Sequence, residues 1–239
     1  MKRANLKYLV PNGVTFASLA LGMGAILAAA EERLVFAGTL IFICYWLDML
    51  DGLAARKLNA QSSFGLQLDS LTDMISFGAA PAVLAFQFMR LSGIELVWVT
   101  PTVIGYVVAG AFRLARFNLL PPKTSGSKDS VGLAITQAGG TLVLALLAAL
   151  LESSSFIPAW TFVPMIWVFS FLEVSMILFP PITWFFLSSR KFGIVLLIVL
   201  FLMIAILPTF STWFWIYIFY LAASVSRSIY RQTRKVVAA

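Results

Sequence analysis

Residues 34–53 read LVFAGTLIFICYWLDMLDGL, and the character of the whole fold follows from this stretch. A run of about 20 apolar residues is the length a helix needs to cross a bilayer. Toward its end the run is broken by Asp48 and Asp51, which share one face of a helix because they lie three apart. Comparable apolar runs cover residues 13–30, 65–91, 96–115, 131–151, 159–179, 192–207 and 213–225. The chain is 61% hydrophobic and 11% charged, where soluble domains carry about 25% charged residues. That leaves no room for a large domain outside the membrane. It also excludes a disordered chain, which would be poor in aromatic and branched residues. The expected class is all-α: a polytopic membrane helix bundle of about eight transmembrane helices. A re-entrant pair around Pro208, leaving six spans, is the alternative for the last two runs.

The basic residues give an independent test of this count. All of the 17 Lys and Arg residues except Arg33 and Arg90 fall before the first run, at the junctions from even to odd runs, or after the last. Under the positive-inside rule this alternation requires an even number of spans with both termini cytoplasmic. The first apolar run is long and lacks a convincing cleavage site, so it reads as a span and not as a secretory signal. Residues 1–12 then form a basic juxtamembrane segment, 13–130 the catalytic part and 131–239 the remaining spans of one integral-membrane domain, 1–239. The basic residues are spread as topology markers, so no nucleic-acid partner is expected.

Histidine is absent, which removes imidazole both as general base and as metal ligand. The single cysteine, Cys44, lies inside an apolar run, which excludes an intramolecular disulfide and a thiolate zinc site. Any metal must therefore be hard and held by oxygen. Every aspartate but Asp129 belongs to one cluster: Asp48 and Asp51 in the second span, Asp69 and Asp73 at the start of the third. Asp69 and Asp73, four apart, share a helical face. Two antiparallel helices would bring both pairs to a similar depth near the cytoplasmic boundary. Ionisable groups in a span cost at least a few kcal/mol, and four carboxylates repel one another unless a cation lies between them. The pairs are thus expected to form an oxygen cage for one or two divalent ions. Gly52, Ala55 and Gly65 leave the neighbouring helix surfaces without bulk. A divalent-cation transporter is the rival reading, but little polar surface continues toward the outer side.

Read in order, Asp48, Asp51-Gly52, Ala55-Arg56, Gly65, Asp69 and Asp73 are similar to the signature of the CDP-alcohol phosphatidyltransferase family, D-x2-D-G-x2-A-R-x8-G-x3-D-x3-D. Within it the chain most resembles the membrane-integral phosphatidylserine synthases. That likeness is carried by Pro11-Asn12 with Thr15, DGLAARKLNA at 51–60, SFGAAPA at 76–82 and RLARFN at 113–118. The second half departs from the family, with VGLAIT at 131–136 in place of a proline-bearing stretch. Met176 and Leu178 likewise stand where basic residues are usual.

The resemblance implies transfer of the phosphatidyl group of CDP-diacylglycerol to the hydroxyl of L-serine, with release of CMP. It implies Mg2+ or Mn2+ held by Asp48, Asp51, Asp69 and Asp73, with Asp73 also the catalytic base. Asn12, Thr15, Gly52, Ala55, Arg56 and Gly65 would bind the nucleotide, and Arg113 and Arg116 the acceptor. Glycerol 3-phosphate, inositol phosphate or choline are the alternative acceptors, and direct attack is favoured over a covalent intermediate. A homodimer is implied, in a bacterial or archaeal plasma membrane with its active site facing the cytoplasm.

Overall fold

The computed structural model describes residues 6–60, 62–119, 129–152, 157–180 and 209–237. Two long helices open the chain, α1 (Leu6–Ala30) and α2 (Leu34–Lys57). The link between them is three residues long. Glu32 takes a left-handed φ of 62°, and the Arg33 N–H reaches the Ala28 carbonyl at 2.9 Å. So short a link returns α2 antiparallel against α1, and the two pack along their length.

The next turn is built the same way, with Asn59 at φ 47° and Ala60 N–H bonded to the Ala55 carbonyl. Ser62 caps the next helix, its hydroxyl accepting from Gly65 N–H at 3.0 Å. From there one continuous helical rod covers Ser63–Leu91. It consists of α3 (Ser63–Asp73), a π-helical segment (Met74–Ala79) and α4 (Ala80–Leu91). A turn with Gly93 at φ 81° leads into α5 (Leu96–Leu119).

α6 (Ile135–Leu151) runs through the centre of the bundle, where every residue from Thr141 to Ala148 is buried. Its small residues permit this depth. A Cβ on Gly139 would come within 2.5 Å of the Phe77 carbonyl oxygen, so α6 meets the π-segment backbone to backbone. The Tyr106 hydroxyl, on α5, donates to that same carbonyl at 2.8 Å. α7 (Phe162–Val174) follows a single 3-10 turn (Ala159–Thr161) and packs mainly on α5. The last helix, α8 (Thr209–Val237), lies against α6.

Four helices among the described residues are long and apolar enough to cross a membrane, within 8–30, 34–53, 63–91 and 96–119; two shorter apolar helices cover 135–151 and 159–174. The expected span at 192–207 and Pro208 lie outside the described residues. Two expected boundaries are corrected. The fifth run was expected from Val131 but its helix starts at Ile135, and the sixth was expected to reach Phe179 but its helix ends at Val174. Before α6 and after α7 the backbone leaves the helical state to form a short antiparallel ladder, β1 (Ser130–Val131) with β2 (Leu178–Phe179). Gly132, at φ 74°, enforces the break: a Cβ there would sit 2.5 Å from the Glu173 carbonyl oxygen. This ladder is also the one departure from an all-helical architecture among the described residues. α8 is longer than the expected 213–225 and carries the closing basic residues on its final turns.

Candidate active site

Helical spacing sets the acids on their faces, and the α1–α2–α3 packing brings those faces together. One carboxylate oxygen from each of Asp48, Asp51 and Asp69 lies within 4.8 Å of the others. Asp51 is buried, while Asp48 and Asp69 are half-buried. Asp73 is 8% exposed and closes α3 four residues after Asp69, on the same helical face. Of the four aspartates expected to converge, Asp48, Asp51 and Asp69 come together, with Asp73 one helical turn beyond Asp69.

Their charge has little compensation nearby. Among the described residues, ion pairs engage Glu31, Glu32 and Asp129, and none engages these four aspartates. Lys57, a possible local partner, is exposed and forms none. Three oxygens so close together, at the edge of a low-dielectric interior, are the donor set of a hard divalent cation. The site therefore fits such an ion, with Asp48, Asp51 and Asp69 as its nearest ligands.

A cavity of ≈ 520 Å³ opens beside the cluster, a size suited to a small-molecule ligand. Asn12 and Thr15 line it from α1, Asp51, Gly52 and Ala55 from α2, and Gly65 and Asp69 from α3. The Thr15 hydroxyl bonds Asp51 Oδ2 at 2.8 Å, which fixes the carboxylate against α1. Asn12 reaches across toward Gly65: its Oδ1 would lie 3.4 Å from a Cβ at that position. Asn12, Thr15, Gly52, Ala55 and Gly65 thus share one cavity with two of the acids. The side chain of Arg56 lies outside the described residues.

The two arginines expected to bind the acceptor are in different situations. Arg113 is 8% exposed, with its guanidinium 5.1 Å from the centre of the Phe117 ring. The acids acting on it are Asp73 and Glu173. Arg116 has its terminal nitrogens on backbone carbonyls instead: Val174 at 2.7 Å, Glu173 at 3.0 Å, Ser175 at 3.1 Å and Val131 at 3.3 Å. It clamps the strand ladder to the end of α7. Asn118, on the same helix, donates to Ser70 Oγ at 3.1 Å and ties α5 to α3 beside the acidic face.

Glu173 went unnoticed in the sequence. It is fully buried on α7, and among the described residues neither carboxylate oxygen has a hydrogen-bond partner. An acid inside an apolar run was the available signal. It was hidden by the attention the aspartate spacing draws.

Residues 8–172 match the CDP-alcohol phosphatidyltransferase family. A CDP-diacylglycerol–serine O-phosphatidyltransferase of Helicobacter pylori is 37% identical over 143 residues, covering 60% of this chain and 59% of the relative. One of Bacillus subtilis is 33% identical over 135 residues, covering 56% and 73%. One of Methanocaldococcus jannaschii is 37% identical over 115 residues, covering 48% and 51%. The alignment thus takes in little more than half of the Helicobacter protein, and the acidic helices fall in the matched region.

Proposed function

Because the chain belongs to the CDP-alcohol phosphatidyltransferase family, we propose that it transfers the phosphatidyl group of CDP-diacylglycerol to the hydroxyl of L-serine, forming phosphatidylserine and CMP. The observation that carries this reading is the convergence of Asp48, Asp51 and Asp69, the last two lining a ≈ 520 Å³ cavity. The names of the relatives support serine as the acceptor.

Asp48, Asp51 and Asp69, with Asp73 beside them, would hold a divalent ion, Mg2+ or Mn2+, which when bound would neutralise charge on the diphosphate and the departing phosphate. The chain's own residues do the rest. Asn12, Thr15, Gly52, Ala55, Arg56 and Gly65 receive the nucleotide, and Thr15 keeps Asp51 oriented through its hydrogen bond. Asp73 takes the proton from the serine hydroxyl. The serine oxygen then bonds to the phosphorus that carries the diacylglycerol, and the bond from that phosphorus to the CMP oxygen breaks. Arg113 holds the serine carboxylate, for which a forked guanidinium is well shaped. Serine is water-soluble and the donor is a lipid, so the reacting centre belongs at the headgroup boundary. The distribution of Lys and Arg supports a bundle of eight spans with both termini and the active site on the cytoplasmic side. We further propose that the enzyme works as a homodimer and as one integral-membrane domain over residues 1–239.

The test is direct. Protein purified in detergent and mixed with labelled CDP-diacylglycerol, Mg2+ and a panel of alcohols should release CMP and form phosphatidylserine with L-serine. Product from glycerol 3-phosphate, inositol phosphate or choline in preference to serine would overturn the acceptor. Absence of CMP release with every alcohol would overturn the reaction.

A further inference from the structure

Glu173 is a buried acid that the proposed reaction leaves without a task. Both of its carboxylate oxygens are buried without a hydrogen bond among the described residues, and the residue has no solvent exposure. Packing alone would favour an apolar residue of the same size, since an uncompensated buried carboxylate is strongly destabilising. Its surroundings are specific. Tyr106, Gly110 and Arg113 succeed one another along one face of α5, and the Glu173 carboxylate lies against that face. Its Oε1 would stand 3.9 Å from a Cβ on Gly110. Arg113 is the one cation acting on it among the described residues.

Arg113 in turn is caught between two acids. Asp73 acts on it from the π-segment side and Glu173 from α7, yet it forms no ion pair with either, and among the described residues its Nε has no hydrogen-bond partner. Were Glu173 absent, the guanidinium would be drawn to Asp73 alone. A forked pair there would occupy the base and use the donors that an incoming anion needs. The backbone at Glu173 cannot drift, because Arg116 binds the carbonyls of Glu173, Val174 and Ser175 at 2.7 to 3.1 Å. One arginine fixes the backbone of Glu173, and the other answers its charge.

We propose that Glu173 is a positioning residue for Arg113: it holds the guanidinium off Asp73 and presents it to the carboxylate of the acceptor. The inference rests on the serine reading and assigns that site a residue beyond those already named.

The test is Glu173→Gln, which keeps shape and removes charge, in the full-length protein with CDP-diacylglycerol and serine. The expected result is a rise of about tenfold or more in the serine KM, with the KM for CDP-diacylglycerol unchanged. Preference for serine over ethanolamine, which lacks the carboxylate, should fall by a similar factor. Glu173→Asp should recover part of the loss. Melting of the Gln variant should be unchanged or occur at higher temperature, whereas a merely structural role requires it to fall. Should the Gln variant fail to insert, Glu173→Met carries the same kinetic expectation. Serine kinetics within twofold of wild type, or a matching rise in both KM values, would overturn the role of Glu173 alone. A wild-type protein that does not use serine would overturn the functional reading and this inference together.

Discussion

The Thr15 hydroxyl donates to Asp51 Oδ2 at 2.8 Å, joining α1 to the acidic pair of α2. Both residues are 6% exposed, so the bond is made away from bulk water. It holds one carboxylate rotamer in an otherwise mutually repelling group. Thr15→Val preserves volume and removes the donor. A hydrogen bond to a charged group contributes about 1.5–3 kcal/mol. The metal concentration giving half-maximal CMP release should therefore rise by about tenfold or more, and Thr15→Ser should remain near wild type. An unchanged metal titration for the Val variant would show that Asp51 needs no such support.

The acids should separate by role when neutralised one at a time. Asp73→Asn should abolish turnover while sparing CDP-diacylglycerol binding, because the base is lost and the cavity wall is intact. Asp69→Asn, which removes one of the three oxygens within 4.8 Å, should instead weaken metal affinity, with activity partly regained at high Mg2+ or Mn2+. Chelator should silence the wild type, and added Mg2+ or Mn2+ should restore it. Full activity of the Asp73→Asn variant would remove that residue from the base role.

Helix geometry explains why this much was legible beforehand. Residues three or four apart must share a face, so Asp48 with Asp51 and Asp69 with Asp73 needed only the assignment of two helices. Asn12 and Thr15 were legible through the resemblance alone, since nothing in their spacing points at residues so far along the chain. The ladder and the π-segment were not legible. Gly132 keeps the chain out of the helix until Ile135 because of what the end of α7 places against it, and Val131 and Leu178 are apolar enough to pass for membrane residues. Met74–Ala79 reads as ordinary helix, and its altered winding shows only where Tyr106 and Gly139 meet Phe77.

That meeting point leads to a stability prediction. A methyl group on Gly139 would lie 2.5 Å from the Phe77 carbonyl oxygen and 2.9 Å from its Cα, and backbone on both sides cannot step away. Overpacking of this kind costs about 1–3 kcal/mol. Gly139→Ala should lower the melting temperature in detergent. It should also lower turnover, because the displaced π-segment begins directly after Asp73. A variant melting like wild type would mean that α6 can slide past the rod freely.

Arg113 and Arg116 offer the sharpest separation of binding from scaffolding, because they share a helix and a charge but not a set of partners. Lysine keeps the charge and loses the fork. Arg116 bonds four carbonyls that join β1, the end of α7 and the following turn. An ammonium group can satisfy only part of that set. Arg116→Lys should therefore melt at a lower temperature, with about 2 kcal/mol lost from bonds to a charged donor. Its serine KM should stay near wild type at temperatures where it remains folded. Arg113, whose Nε is unbonded among the described residues and which faces the Phe117 ring, Asp73 and Glu173, has less structure to lose. Arg113→Lys should melt close to wild type and raise the serine KM by about tenfold. The reverse pattern, a kinetic defect at Arg116 and a stability defect at Arg113, would exchange their roles and move the acceptor site toward the strand ladder.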